Sequence, residues 1–536
     1  MYQFGESKVK SKTFTRILSV IILAFFLACV SLMLLPPKSS SALANSNYDT
    51  SIQEVSRDLR EIPQNPPANP SLKTFGNFAW KTFIALNWPA NCTTNLPLEP
   101  LEDKEIGQAP NLPRIWEFYP YPEMIFLPRG ATPDIKPDIP TQCQPHGKLI
   151  ARKLNLTELG SNPIFSGFGP ILPIVLSNWQ ARKTGIELPF GYVLVDRQGN
   201  YVLSEPRMNF VEFTQIEKNG WYSADKLEEL KFNNNVSGNS ANPFQLICSA
   251  QKENGYPTKN NPLVPCRDNE TEGAIEIKAA WMVLPKNANP RELPNPKVYY
   301  TTKRTLFVET PEHKIKPVMI PVALIGFHIL HKTSLNGWIW STFEHINNAP
   351  DDPNMEDDNG YGCYTPPDLN YYNLYDPKSS SRVNTPLAST PYLWRDEFPH
   401  AVTEDKYRNI VEQRRSNITR QVCIPHAIEA LNKDWQETLK GFNSSSVWQH
   451  YQLIGVQWLD QPSNPYGNGR NVLPKQMLNV ALEPYPQKVP QDFLERFPDA
   501  GFSCVSCHTA ATLPDKRTKA DFSFLMNHAQ YSSIDE

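Results

Sequence analysis

Apolar side chains at Phe75, Phe78, Phe83 and Leu86 recur at helical spacing along Thr74–Trp88, and Pro89 closes the run. That spacing predicts a short amphipathic helix. A different period takes over later. Ile275, Ile277, Ala279, Trp281 and Val283 alternate with Glu276 and Lys278, the pattern of a strand with one buried and one wet face. Residues 192–203 carry Gly199-Asn200 between two apolar runs and read as a hairpin. Further strand patterns cover 297–309, 315–330 and 338–345, while 404–441 shows two helical patterns broken near Pro425. The stretch 95–190 is Pro-rich and predicts loop. No internal repeat and no clean linker interrupts 70–460. The pattern therefore predicts an α+β fold, one large body with a mainly antiparallel sheet and accompanying helices.

Composition narrows the function classes. Aromatics make up 11% of 536 residues, enough core-forming area to exclude disorder throughout, and the 51 Pro predict abundant irregular connections. A formal net charge of −3 with no basic block argues against nucleic-acid binding. The N-terminus has its own logic. Lys8, Lys10, Lys12 and Arg16 precede a nearly unbroken apolar run over 17–35, and Ala42-Leu43-Ala44 offers a small-x-small cleavage pattern. Residues 1–44 thus read as a signal peptide for the general secretory route, since no twin Arg precedes the apolar run. An uncleaved anchor is the competing reading, and only that one implies membrane association. Either way the body is expected outside the cytoplasm, in a periplasm or, in a cyanobacterium, the thylakoid lumen. Residues 45–70 read as a Pro/Asn-rich arm.

Nine cysteines divide into three groups. Cys29 lies in the signal. Cys92, Cys143, Cys248, Cys266, Cys363 and Cys423 are expected to form disulfides in an oxidising compartment, with sequential pairing the most local arrangement. Cys504 and Cys507 belong to Cys504-Val-Ser-Cys-His508, a C-x-x-C-H motif whose chance occurrence in such a chain is roughly 0.003. Two thiols at that spacing can each form a thioether to a haem vinyl group, placing His508 under the iron as proximal ligand. One covalent haem c is therefore expected. A zinc site would want a second Cys pair at similar spacing, and none exists. Only 28 residues follow His508, so the haem is expected to lean on what precedes it: a body over 71–460 and a C-terminal haem-binding segment over 461–536.

Several blocks carry a resemblance. "ALNWPAN" (85–91), "VDRQGNYV" (195–202), "IEIKAAWMVL" (275–284), "ALIGFHILHKTSLNGWIWSTFEHINNAP" (323–350), "YQLIGVQW" (451–458) and "SCVSCHTAA…DFSFLMNHAQ" (503–530) occur in a distinctive order. Together they resemble bacterial cytochrome c family proteins, secreted, with a C-terminal C-x-x-C-H and a large N-terminal domain. The resemblance spans most of 74–530. It implies a secreted c-type haem protein and supplies no substrate; it also sets a Leu-type residue where this chain has Met526.

Other residues carry candidate chemistry. Met526, 18 residues after His508, is the candidate sixth iron ligand, with His528 and His345 as alternatives. Lys516, Arg517 and Lys519 offer cations for haem propionates. His328, His331 and His345 suggest a metal site, but strand spacing sends His328 and His331 to opposite faces. Glu344-His345 could form an acid–base pair, Trp338 and Trp340 share one strand face and could flank a haem, and 351–360 resembles a calcium loop in composition only. The functional expectation is an exported monohaem c-type cytochrome transferring electrons to or from a redox partner protein. A haem-dependent oxidoreductase or haem sensor with an open sixth position is the alternative.

Overall fold

The computed structural model describes residues 59–66, 71–91, 99–133, 193–232, 244–248, 272–284, 296–309, 315–355, 372–387, 400–407, 409–459, 476–485 and 503–532, with short pieces at 175–176, 363, 393–394, 466 and 472–473. The signal segment, Cys92, Cys143 and Cys266 lie outside the described residues. Eleven strands are described: β1 (Val175–Leu176), β2 (Leu203–Met208), β3 (Ile275–Val283), β4 (Thr301–Glu309), β5 (Ile315–Thr333), β6 (Gly337–His345), β7 (Leu393–Trp394), β8 (Ala401–Glu404), β9 (Ile410–Glu412), β10 (Tyr451–Leu459) and β11 (Val472–Leu473). The helices are α1 (Leu72–Leu86), α2 (Phe210–Asn219), α3 (Ala224–Phe232), α4 (His426–Phe442) and α5 (Cys504–His508). Among the described residues no helix is long and apolar enough to cross a membrane.

Eight strands form one sheet built around β5. The registers put β4 against residues 315–323 of β5 and β6 against 326–333, while β3 pairs with 322–331 along the other edge. Every pairing in this sheet is antiparallel except β1 with β4. Fold class is therefore α+β, as the periodicity predicts. β7, β8 and β9 make a separate three-stranded sheet.

The two faces of the large sheet have different covers. On one, Ile277, Ala279, Trp281, Phe327, Ile329, Phe343 and Leu453 share a core with Phe75, Phe78, Trp80 and Phe83 of α1. Ser71 caps that helix and Thr74 answers it in a capping box. Phe83 stacks on Phe343 at 4.2 Å, and Trp80 meets it edge-on at 5.0 Å. α4 adds a polar clamp: Asn432 accepts from Trp80 Nε1 at 3.0 Å and from Leu453 N at 2.9 Å. On the other face, Leu330, Trp338 and Trp340 share a second core with Val505, Phe522, Leu525 and Met526. Glu276, predicted to be wet, is therefore covered by the C-terminal segment, while Lys278 stays partly exposed.

Two readings need adjustment and one is met. Residues 404–424 do not form the first of two helices: 401–404 and 410–412 are paired strands, and Asp405 ties the turn between them by accepting from Tyr407 N and Asn409 N. Local carboxylate-to-backbone bonds of this kind compete with helix formation. The second pattern is helical, as α4. The arm joins the body from Leu59, which is buried in the core, and Asn65 accepts from the backbone of Ser334 and Leu335 in the β5–β6 turn. Cys363 and Cys423 are disulfide-bonded with Cα atoms 5.2 Å apart, in line with sequential pairing, and Cys248 is also in a disulfide.

Candidate haem-binding site

The C-x-x-C-H motif forms α5, a single helical turn started by Ser503, whose hydroxyl accepts from Ser506 N. Spacing of three and four residues puts Cys504, Cys507 and His508 on one side of that turn. They are partly exposed, while Val505 and Ser506 are buried. Val505 anchors the turn: its side chain enters the second core, and its N–H donates to Gln457 Oε1 of β10 at 2.9 Å. Cys504 and Cys507 are free thiols.

His508 is aimed by its backbone surroundings. Its Nδ1–H donates to the Phe522 carbonyl at 2.6 Å, leaving the Nε2 lone pair free. Phe522 and the preceding Asp521 both have left-handed backbones, at φ 67° and 50°, a conformation unfavourable for a bulky L residue. Several contacts hold them there. Phe522 N donates to Tyr466 Oη at 3.1 Å and the two rings stack at 4.6 Å. The Asp521 carboxylate accepts from Leu246 N at 2.8 Å and from the Lys332 ammonium. Trp340 lies 6.2 Å from the His508 ring and Phe524 meets it edge-on at 5.1 Å.

Burial sets the charge state. It pushes the Cys507 thiol up to about 12, with Glu483 adding to the effect, and Cys504 well above the ordinary thiol value. It brings His508 down to about 4. Two thiols three residues apart on one side of the turn suit thioether attachment, and a neutral imidazole with its proton fixed on Nδ1 suits iron ligation through Nε2. The donor set fits a haem.

Three charged or ionisable side chains complete the surroundings. Lys278 of β3 and His328 of β5 are cross-strand partners, so they leave the sheet on one face. Glu483 accepts from His328 Nε2 at 2.9 and 3.0 Å. Lys278 and Glu483 act electrostatically on Cys504, Cys507 and His508, and His328 acts on His508. Sequence reasoning passed over Lys278 and Glu483. The usable signal was that Lys278 and His328 interrupt apolar stretches of their strands; Glu483 comes from a loop brought in by tertiary structure.

The remaining candidates disperse. Met526 has no exposed surface and lies in the second core, in a short turn over Leu525–His528. His528, in the same turn, is 4% exposed and stacks on Phe126 at 5.9 Å. His331 lies on the opposite face from His328, stacked on Phe78 at 5.4 Å. His345 stacks on Tyr299 at 3.8 Å and donates from Nε2 to Val298 O. Glu344 instead accepts from Arg420 and from Val480 N, so Glu344 and His345 form no acid–base pair. Among the described residues no three His, Cys, Asp or Glu converge to hold a bare metal ion. Asp351 pairs with Arg420. Trp338 and Trp340 share one strand face, as predicted, and both are buried in the second core with Val505; Lys519 donates to Thr509 O at 2.7 Å, stapling the loop after α5. Comparison of the chain with protein-family models, curated proteins and solved structures finds no match.

Proposed function

We propose that the protein is an exported monohaem c-type cytochrome, with haem attached through Cys504 and Cys507, His508 as proximal iron ligand, and electron transfer with a redox partner protein as its role. One observation carries this: the His508 Nδ1–H bond to a carbonyl that two left-handed, non-glycine residues aim at it. Backbone strain of this kind persists where a functional constraint is served, and the bond leaves Nε2 as the ligating atom. The haem supplies an Fe(III)/Fe(II) couple. The chain orients the proximal imidazole and lines one side of it with Trp340 and Phe524. The Cys363–Cys423 disulfide supports an oxidising compartment.

Protein purified from a host that matures c-type cytochromes should keep its haem stain after acid–acetone extraction and denaturing electrophoresis. Cys504→Ala or Cys507→Ala should leave one thioether or none, counted by mass spectrometry. A haem-free polypeptide refutes the proposal. The partly exposed face beside Lys278, His328 and Glu483 favours the second reading, a haem oxidoreductase or sensor; CO binding by the reduced protein would select it.

A further inference from the structure

We infer that His328, held by Glu483, is the sixth iron ligand of the haem; the inference rests on the haem reading above. The two nitrogens of an imidazole face different ways. At His508 the Phe522 carbonyl occupies Nδ1, so the chain leading on from Phe522 backs the ring on the side away from the iron. Phe524 lies edge-on to that ring, and Met526 shares its core with Phe522 and with Val505, the anchoring residue of α5. Met526 fits there as packing, in the place of a Leu, since the two exchange at little cost in a core.

The other side belongs to β3 and β5. His328 sits two pairs along the β5–β6 ladder from Trp340, which keeps it on the same face, and the Trp340 ring lies 6.2 Å from that of His508. His328 is 7% exposed. Its Nε2–H is taken up by the Glu483 carboxylate, while Nδ1 is buried and has no hydrogen-bond partner among the described residues. That leaves Nδ1 as a buried lone pair with nothing to bind, next to a C-x-x-C-H motif. The carboxylate on the opposite nitrogen is what orients a metal-binding imidazole and strengthens it as a donor.

The support behind His328 is built into the fold. Asn479 donates from Nδ2 to Thr342 Oγ1 at 2.7 Å and to Phe343 O at 3.0 Å, seating the 476–485 segment on the sheet. Gly326 permits that approach: a Cβ there would lie 3.1 Å from Ala481 Cβ and 3.2 Å from Asn479 Oδ1. Asn479 N in turn donates to Glu483 at 3.3 Å. Two imidazoles saturate the iron, which suits a carrier, and give a lower potential than a thioether ligand would.

The test uses full-length holoprotein, with haem retention on denaturing gels checked for every variant. The wild type should be low-spin, lack the weak sulfur-to-iron band in the far red, and bind CO poorly. His328→Ala should turn high-spin and bind CO, and added imidazole should restore the low-spin spectrum, which a misfolded protein would not do. Glu483→Gln should stay low-spin with a raised potential, and Met526→Leu should leave the spectrum unchanged. A low-spin His328→Ala spectrum, no rescue by imidazole, or conversion to high spin in Met526→Leu overturns the ligand assignment while the haem stain stands. Absence of stain from the wild type overturns the haem reading, and this inference with it.

Discussion

Replacing Glu276 by Gln should make the protein more stable at alkaline pH. Glu276 is 7% exposed and one of its carboxylate oxygens has no partner. Burial raises its pKa to about 8, with Asp521 adding to the rise and a Ser523 hydroxyl bond opposing it. Glu212 is buried nearby with both oxygens unpartnered and is raised well above its ordinary value by burial and by Glu276. Lys332, paired with Asp521, is the cation of the group. Between the ordinary carboxyl value of 4.5 and about 8, the folded protein binds more protons than the unfolded chain. Stability therefore falls as pH rises through that window. Each pH unit on the full slope is about 1.4 kcal/mol. Shared among interacting carboxylates, the loss from pH 5.5 to 7.5 assignable to Glu276 is about 1–3 kcal/mol. Urea unfolding of the holoprotein, followed by far-UV circular dichroism, gives the comparison. At pH 5.5 Glu276→Gln should match the wild type within about 1 kcal/mol, because a neutral acid and an amide are nearly isosteric. At pH 8 it should be the more stable by about 1–3 kcal/mol. Parallel stability curves, or a variant weaker than wild type at pH 8, would refute the argument.

Two other substitutions probe the frame. Glu205 lies between Arg207 and Arg304, fully buried, and also accepts from Trp281 Nε1; although burial alone would raise its pKa, the two guanidiniums hold it at about 2. Its contribution is present above the ordinary carboxyl range and lost as pH falls towards 2, and Glu205→Ala should cost about 3–5 kcal/mol in urea unfolding at pH 7 by leaving buried Arg207 without a carboxylate and Arg304 with Glu117 as its remaining one. Replacing Cys363 and Cys423 together by Ser should cost about 2–4 kcal/mol in urea unfolding under non-reducing conditions.

Much of the frame was legible because it rests on period. β3 reads directly from the alternation of Ile275 to Val283, and α1 from its Phe spacing and the Pro89 stop. The stretch before Pro425 misled because its spaced apolar residues mimic a helix, whereas Asp405 turns the chain locally and pairing with β8 fixes the rest. The polar face of β3 was expected to be wet, since alternation shows that two faces differ and not what covers the second one. The motif named Cys504, Cys507 and His508 outright. Nothing in local sequence marks Phe522: a left-handed Phe is exceptional, and the carbonyl it presents belongs to the backbone. Glu483 was equally hidden, brought to His328 by a segment that packs closely over Gly326, where a side chain would crowd Ala481 and Asn479.

The cost of aiming that carbonyl falls on the body of the protein. A left-handed L residue costs roughly 1–2 kcal/mol, more for Phe than for Asp. The contacts that hold Asp521 come from Leu246 and from Lys332 of β5, both distant in sequence. Lys332 is 5% exposed, so its ammonium depends on the Asp521 carboxylate. Asp521→Asn keeps an oxygen for Leu246 N and a residue type that tolerates the left-handed backbone, yet leaves that ammonium buried without its counterion. It should cost about 3–5 kcal/mol. Lys332→Met removes the ammonium, and the double variant should recover part of the loss, with a coupling energy of about 1–3 kcal/mol. The four proteins are compared by urea unfolding at pH 6.5, where Glu276 is still protonated. If the two single costs simply add, to within about 0.5 kcal/mol, the ion pair is not what holds the turn, and the Leu246 bond alone must carry the backbone that aims Phe522 at His508.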